Sequence, residues 1–370
     1  MESLSRALTV VTLLLVAGCA ALPWPQRSRP GGATALPDGR LDLRGAVHVH
    51  TRSSRVARGS VRELLRGARD AGLAWIALTE HTRPGGPPPS GTMDGVVVIP
   101  GFEMKAWGGS LLGLGVDARP ESYRDPVAVA REVHAEGGLV FVAHLDTSQV
   151  TLDDWSAAAP DGLEVANLHT AAIEAGVMRL GLASALLPGP LALRPLLRTP
   201  RALLARWEEL PADAIVAGVD AHAKFRLLRW VGTIDTYGRL FHLLTTHVVA
   251  REATRPAILE ALRAGDSYVA FEGREPVDHF EFALQDGRAS IAAPRPAELA
   301  LICDGARSEL GVASEASAPL PSGAVRCRAE AWLDGELWIA TSYRRVAEPT
   351  RSPAATRAAS EARSETASPD

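Results

Sequence analysis

The chain is poor in lysine, in cysteine and in unbalanced charge. Lys105 and Lys224 are its only lysines. The other cations are arginines, which we read as genome composition bias. Asp and Glu total 43 against 39 Lys and Arg, for a net charge of −4. No overall basic field is present, so nucleic acid is not expected as a main partner. The apolar run from Ala7 to Val16, interrupted by Thr9 and Thr12, is too short to cross a bilayer as a helix. There is no Ser/His/Asp arrangement with a nucleophile elbow and no Walker-type glycine loop, which argues against a serine hydrolase and a P-loop enzyme. The cysteines are Cys19, Cys303 and Cys327.

The 370 residues are 46% hydrophobic and 22% charged, ordinary globular values with ample material for a large core. Arg6, the short apolar run and Val16-Ala17-Gly18-Cys19 have the pattern of a secretory signal. They resemble a bacterial lipoprotein signal over residues 1–19, with Cys19 as the lipidated residue. Two or more acyl chains suffice for stable anchoring. Ala20, where an Asp would favour inner-membrane retention, leans the expected location to the outer membrane facing the periplasm. Residues 20–42, rich in Pro, Gly and Arg, read as a flexible tether. In an oxidising compartment Cys303 and Cys327 can pair, but two unpaired buried thiols fit the sequence equally.

What is present begins with Gly45-Ala-Val-His-Val-His-Thr51. Valine alternates with His48 and His50, the periodicity of a strand. Alternate strand residues share a face, roughly 6–7 Å apart, so two imidazoles can converge on one metal ion. A surface strand that carries two histidines by chance is the plain alternative. The rest of the chain weighs against it. Ser60 and Glu63 form a capping box before a helix with Leu64, Leu65, Ala68 and Ala71 at helical spacing. Leu73 to Thr79 is a buried strand that ends in Glu80-His81. Val96 to Ile99 leads to Glu103, Leu139 to Ala143 leads to His144, and Gly162 to Ala166 leads to Asn167 and His169. Ala214 to Val219 leads to Asp220 and His222. Acids and histidines recur at one end of successive strands separated by helices. In a parallel barrel those ends meet at one mouth.

In this order the motifs are similar to those of the PHP family (polymerase and histidinol phosphatase domain). H-x-H is His48/His50, T-D-H is Thr79-Glu80-His81, G-x-E is Gly101 to Glu103, and A-H-P is Ala143-His144-Leu145. E-x-x-N is Glu164 to Asn167, and G-S-D-A-H is Gly218 to His222. The resemblance covers roughly residues 43–270. It implies an α/β fold, a distorted seven-stranded β/α barrel over 43–274, with two or three Zn, Mn or Fe ions and phosphoric ester hydrolysis. Carried over, His48, His50 and Asp220 bind a first metal. Glu103 bridges to a second that His144 also holds. His81 and His222 reach a third.

Departures accompany the likeness. Ser110 stands where many members have a histidine. The loop after H-x-H carries Arg52, Ser53, Ser54, Arg55 and Arg58 in place of a further ligand. We therefore expect two metals, the third resting on His81 and His222 alone. Glu80 and His169 are candidate catalytic groups. Arg52, through its planar fork, and Asn167 are candidate substrate contacts. The expected activity is hydrolysis of a small phosphorylated substrate by metal-activated water at the cell envelope. The alternative is a degenerate barrel that binds a ligand or partner without turnover. His242 and His247 match no motif and read as structural. Residues 275–346 show short alternating runs with Asp286-Gly287, Asp304-Gly305 and Asp334-Gly335 turns, a small antiparallel β domain. Residues 347–370 read as a disordered tail.

Overall fold

A computed structural model describes residues 32–81, 89–118, 120, 125–145, 152–187, 189–226 and 233–347. Cys19, most of the proposed tether and nearly all of the C-terminal tail lie outside them. The protein is mixed α/β with one large, extensively paired sheet. Its strands are β1 (Ala33–Ala35), β2 (Leu41–Val49), β3 (Trp75–Leu78), β4 (Gly91–Met93), β5 (Val96–Ile99), β6 (Gly101–Ala106), β7 (Gly109–Leu114), β8 (Leu139–Ala143) and β9 (Gly162–Asn167). They continue with β10 (Ala214–Ala221), β11 (Thr245–Ala250), β12 (Ser267–Ala270), β13 (Glu281–Gln285), β14 (Arg288–Cys303), β15 (Ala306–Pro319), β16 (Arg326–Leu333), β17 (Glu336–Thr341) and β18 (Arg344–Arg345).

β2 is the centre of the pairing. It runs parallel to β3 and β10 and antiparallel to β1 and β11. From β10 the ladder continues through β9 and β8, both parallel, to β7 and β6, which are antiparallel. From β3 it continues to β5. A single parallel bridge, Glu80 to Phe102, links the end of β3 to β6. The strands β3, β5, β8 and β10 are buried along their whole length. That explains their continuous apolar runs, since helices cover the outer face of a parallel sheet. The helix Val61–Asp70 starts at the expected capping box of Ser60 and Glu63. Pro126–Ala135 and Arg255–Arg263 are further helices, each with a side-chain N-cap (Asp125, Thr254) and a proline in its first turn.

Three features differ from the sequence reading. Part of the expected tether is structured, because β1 pairs with β2 through Ala33 and Leu43. Asp42, also placed in the tether, is buried. Glu103 does not end its strand; Pro100 breaks β5, and Glu103 lies inside β6. In the C-terminal region, where short runs are expected, Arg288 to Cys303 form one long strand, β14. It pairs with β15, which has no apolar alternation to betray it because most of its residues are exposed. Asp286, Asp304 and Asp334 adopt left-handed backbone before their glycines, as tight hairpin turns require. This region joins the main sheet through β12 and β17. Cys303 and Cys327 sit opposite each other on β14 and β16 and form a disulfide.

His247 belongs to a buried cluster at the start of β2. Its Nδ1 lies 2.7 Å from Asp42 Oδ1, and Tyr268 and His279 contact the other Asp42 oxygen. Burial pushes the Asp42 carboxyl up. The His247 charge and hydrogen bonds from His247, His279 and Tyr268 outweigh that and hold it at about 2. A depressed carboxylate stabilises the fold above its unfolded value of 3.8, and the gain is lost as pH falls toward 2. Between pH 5 and pH 2.5 the wild type should lose about 2 kcal/mol more than Asp42→Asn in denaturant titrations. Equal losses would show that Asp42 does not carry this acid limb.

Candidate metal centre

The ends of β2, β3, β8, β9 and β10 bring together one cluster of histidines and acids. His48 and His50 come from β2 and the residue after it. They are not placed by simple strand alternation. His48 has φ 62°, and the pairing of β2 slips register on both sides, against β3 between Ala46 and Val49 and against β10 between Gly218 and Ala221. The kink keeps the two rings together, with centroids 5.1 Å apart. His144 (φ 57°) and Asp220 (φ 47°) are also left-handed. Non-glycine residues in that region cost of order 1–3 kcal/mol each, and such strain concentrates at functional sites.

The donor atoms stand at the spacing of ligands around an ion. His48 Nε2 is 3.2 Å from Glu103 Oε2 and 3.8 Å from Asp220 Oδ1. His50 Nε2 is 3.4 Å from each of the same two oxygens. His81 Nδ1 is 3.1 Å from Glu103 Oε2, and His144 Nε2 is 3.5 Å from Glu103 Oε1 and from Asp220 Oδ2. Donors bound 2.0–2.2 Å from one tetrahedral ion sit about 3.4 Å from each other. His48 Nε2, both His50 ring nitrogens and Asp220 Oδ1 are buried without a hydrogen bond. Buried polar atoms are rarely left so. Orphaned nitrogens and oxygens converging at these distances fit metal cations.

Four groups can each hold an ion: His48, His144 and Asp220; His48, His50 and Glu103; His50, His81 and His222; and His169, Asp220 and His222. The grouping is not quite that of the sequence reading. His144 shares a group with His48 and Asp220, and His81 and His222 are joined by His50. His169 adds a further donor; its ring lies 4.9 Å from that of His222 and stacks on Phe225.

Electrostatics acts differently on the members of the cluster. Burial lowers the His222 imidazole to about 3 and that of His81 to about 4, only partly offset by nearby carboxylates. Both are therefore neutral near pH 7, the form that binds metal. Burial also lowers His48, but Glu164, Asp220 and Glu103 overcome it and raise the group well above its usual range. Burial raises Glu103 and Asp220; the surrounding histidines, His48 foremost, hold both well below the usual carboxylate range. His222 Nδ1 donates to the Asp220 carbonyl at 2.9 Å, which leaves Nε2 for an ion.

Other candidates land elsewhere. Both Glu80 oxygens accept hydrogen bonds from the loop after β2: from the Thr51 amide at 3.0 and 3.2 Å, from the Thr51 hydroxyl at 2.5 Å, and from Ser54. Glu80 thus clamps that loop with both oxygens. Asn167, expected as a substrate contact, is tied down by its own hydrogen bonds. Its amide donates to Glu164 Oε1 at 2.8 Å, and its carbonyl caps the helix Leu168–Ala175 through the Thr170 amide. Arg52 is two-thirds exposed and points to Glu63 at 4.0 Å, away from the cluster. Ser110 donates to Glu103 Oε1 at 2.6 Å, so it orients a donor where a histidine would supply one.

The sequence reading gave Glu164 no role, and it proves central. Its Oε2 lies 2.5 Å from His48 Nδ1. A carboxylate on the far ring nitrogen fixes the tautomer and aims the other nitrogen at an ion. The carboxylate crosses directly over Gly218, where a Cβ would lie 1.9 Å from Glu164 Oε2. The E-x-x-N and G-x-D-x-H spacings, read together, were the available signal.

No family model and no curated protein matches the chain. Among solved structures it is similar to a two-domain protein from Bacteroides vulgatus described as containing a predicted PHP-like metal-dependent phosphoesterase. Identity is 17%, with 86% of this chain and 99% of that chain covered and a TM-score of 0.43. A likeness this distant carries no argument about chemistry, which rests here on the donor set.

Proposed function

We propose that the protein is a metal-dependent phosphoesterase of the PHP type. The observation that carries the reading is the convergence of His48, His50, His81, Glu103, His144, Asp220 and His222 at ligand spacing, with buried orphan donors among them. Divalent ions there would supply a water activated near neutral pH and charge to neutralise phosphoryl oxygens. The chain's own groups do the rest. Glu103 reaches His48, His50, His81 and His144, and so is placed to join neighbouring sites. Asp220 does the same between His48 and His50. Glu164 holds the His48 ring. His169, lowered by burial, is neutral and flanks the cluster without a charge to repel a phosphate.

A seven-stranded barrel is the finer form of this proposal. The run β3–β2–β10–β9–β8–β7–β6 has seven strands, and the Glu80–Phe102 bridge between its two ends supports closure. Anchoring at the cell envelope through Cys19 is supported by the Val16-Ala17-Gly18-Cys19 pattern. Palmitate labelling that persists in Cys19→Ser would refute it. No helix among the described residues is long and apolar enough to cross a membrane.

The test of function is hydrolysis of a chromogenic phosphomonoester and a phosphodiester after loading with Mn or Zn. Activity should vanish on chelation and return with metal, and metal analysis should find two tightly held equivalents. Metal without turnover of either ester would favour the non-catalytic binder instead.

A further inference from the structure

The described residues contain nine large apolar side chains that are exposed, and six of them fall between residues 173 and 191: Ile173, Met178, Leu182, Leu186, Leu187 and Leu191. The helix Val177–Leu186 shows why this is unusual. It buries a stripe of Leu180, Gly181, Ser184 and Ala185. On the other side Met178, Leu182 and Leu186 follow one another at four-residue spacing, with Met178 73% and Leu182 59% exposed. A surface helix carries polar residues there, and one that is apolar all round is normally covered. Between Glu174 and Arg194 the only charged residue is Arg179. A contiguous apolar patch of this kind marks an interaction surface.

The inner side of the same segment faces the metal centre. Leu180, Leu193, Leu196, Phe225, Ile234 and Leu240 wall a largely apolar cavity, whose lining also includes Ala172, His169, Asp220 and Asp235. Its free space is narrow, about 20 Å³, so a larger occupant must push the outer helices outward. One layer of helix therefore separates the candidate metal ligands from an uncovered apolar surface. The outer face is apolar, and the inner cavity is apolar apart from His169, Asp220 and Asp235.

We propose that the substrate is a lipid phosphoester: the apolar chain enters this cavity while the phosphate meets the metal centre, and the Met178/Leu182/Leu186 face rests on the membrane that supplies it. The substrate class rests on the phosphoesterase reading above. The proposed anchor is compatible with it and does not by itself choose the face. From Cys19 to Gly32 the chain can span at most about 45 Å, beyond the roughly 20 Å radius of gyration of a domain this size. Many faces can thus reach the bilayer, and the apolar patch selects one.

The test uses the full chain loaded with Mn and the non-hydrolysable probes methyl-, butyl- and octylphosphonate, with affinity read by calorimetry. Affinity should rise about fourfold for each methylene that becomes buried. Ala172→Leu fills the cavity from its wall and should abolish that gain while methylphosphonate binding is kept. Met178→Glu with Leu182→Glu, both on the exposed face, should cut adsorption to phosphatidylglycerol/phosphatidylcholine vesicles at least tenfold, compared in a Cys19→Ser background. Affinity independent of chain length overturns the substrate class. Unchanged adsorption, or a dimer that the Glu pair dissociates, overturns the membrane face. These readouts need no turnover, so failure to hydrolyse any phosphoester would sink the phosphoesterase reading separately.

Discussion

The double variant His48→Ala, His50→Ala should lose bound metal and with it phosphoesterase activity by three orders of magnitude or more. Three of the four candidate groups contain His48 or His50, and the two that contain His48 include the one shared with Glu103. Removing both imidazoles leaves Glu103 and Asp220 with fewer ring nitrogens beside them. Ions held there would bring the pKa of a bound water down toward neutrality, which the remaining side chains cannot do. Both histidines are fully buried, so alanine also opens a cavity and removes the partner of Glu164. Thermal unfolding and circular dichroism must therefore accompany the assay. Loss of at least one metal equivalent in a folded protein is the expected result. A folded variant with wild-type metal content and turnover would end the metal-centre reading.

Glu164→Gln should weaken metal binding by about 10–100-fold while the fold is kept, the usual effect of removing a carboxylate behind a ligating histidine. Glutamine keeps the bond from Asn167 in reach but withdraws the negative charge from His48 Nδ1, now 2.5 Å away. Gly218→Ala should act in the same direction by a different route, since its Cβ would collide with the Glu164 carboxylate. A competition titration with a chelator reads both. Glu164→Asp, which keeps the charge on a shorter arm, should recover part of the affinity lost in the Gly218→Ala background. If Glu164 only fills space, Glu164→Gln will change melting temperature or nothing at all, and metal affinity will be unmoved.

Much of this protein is legible without coordinates. Runs such as Trp75–Leu78 and Leu139–Ala143 are apolar throughout because both faces of a covered sheet exclude water, and that pattern survives in one dimension. The capping box at Ser60 and the Asp-Gly hairpins are likewise local, fixed by backbone geometry within a few residues. For the same reason the ligand-type residues stand out, since each follows or closes an apolar strand. β15 escaped because an exposed strand has no buried face to impose alternation.

Sequence order alone determined which side chains are available for chemistry: the histidines and acids at or just beyond the apolar strand runs. Only the tertiary structure decided which of them meet. Glu80 was turned to the Thr51 loop, Asn167 to Glu164 and a helix end, and Arg52 to solvent, although each lies within a few residues of a cluster member. A side chain's direction depends on φ, register and what packs behind it. At His48, His144 and Asp220 the backbone leaves the strand region altogether, so no alternation rule can place them. Glu164 reaches His48 across 116 positions of chain, through a gap that exists because residue 218 lacks a Cβ. Such a contact is set by three strands packed at once, and no single stretch of sequence encodes it.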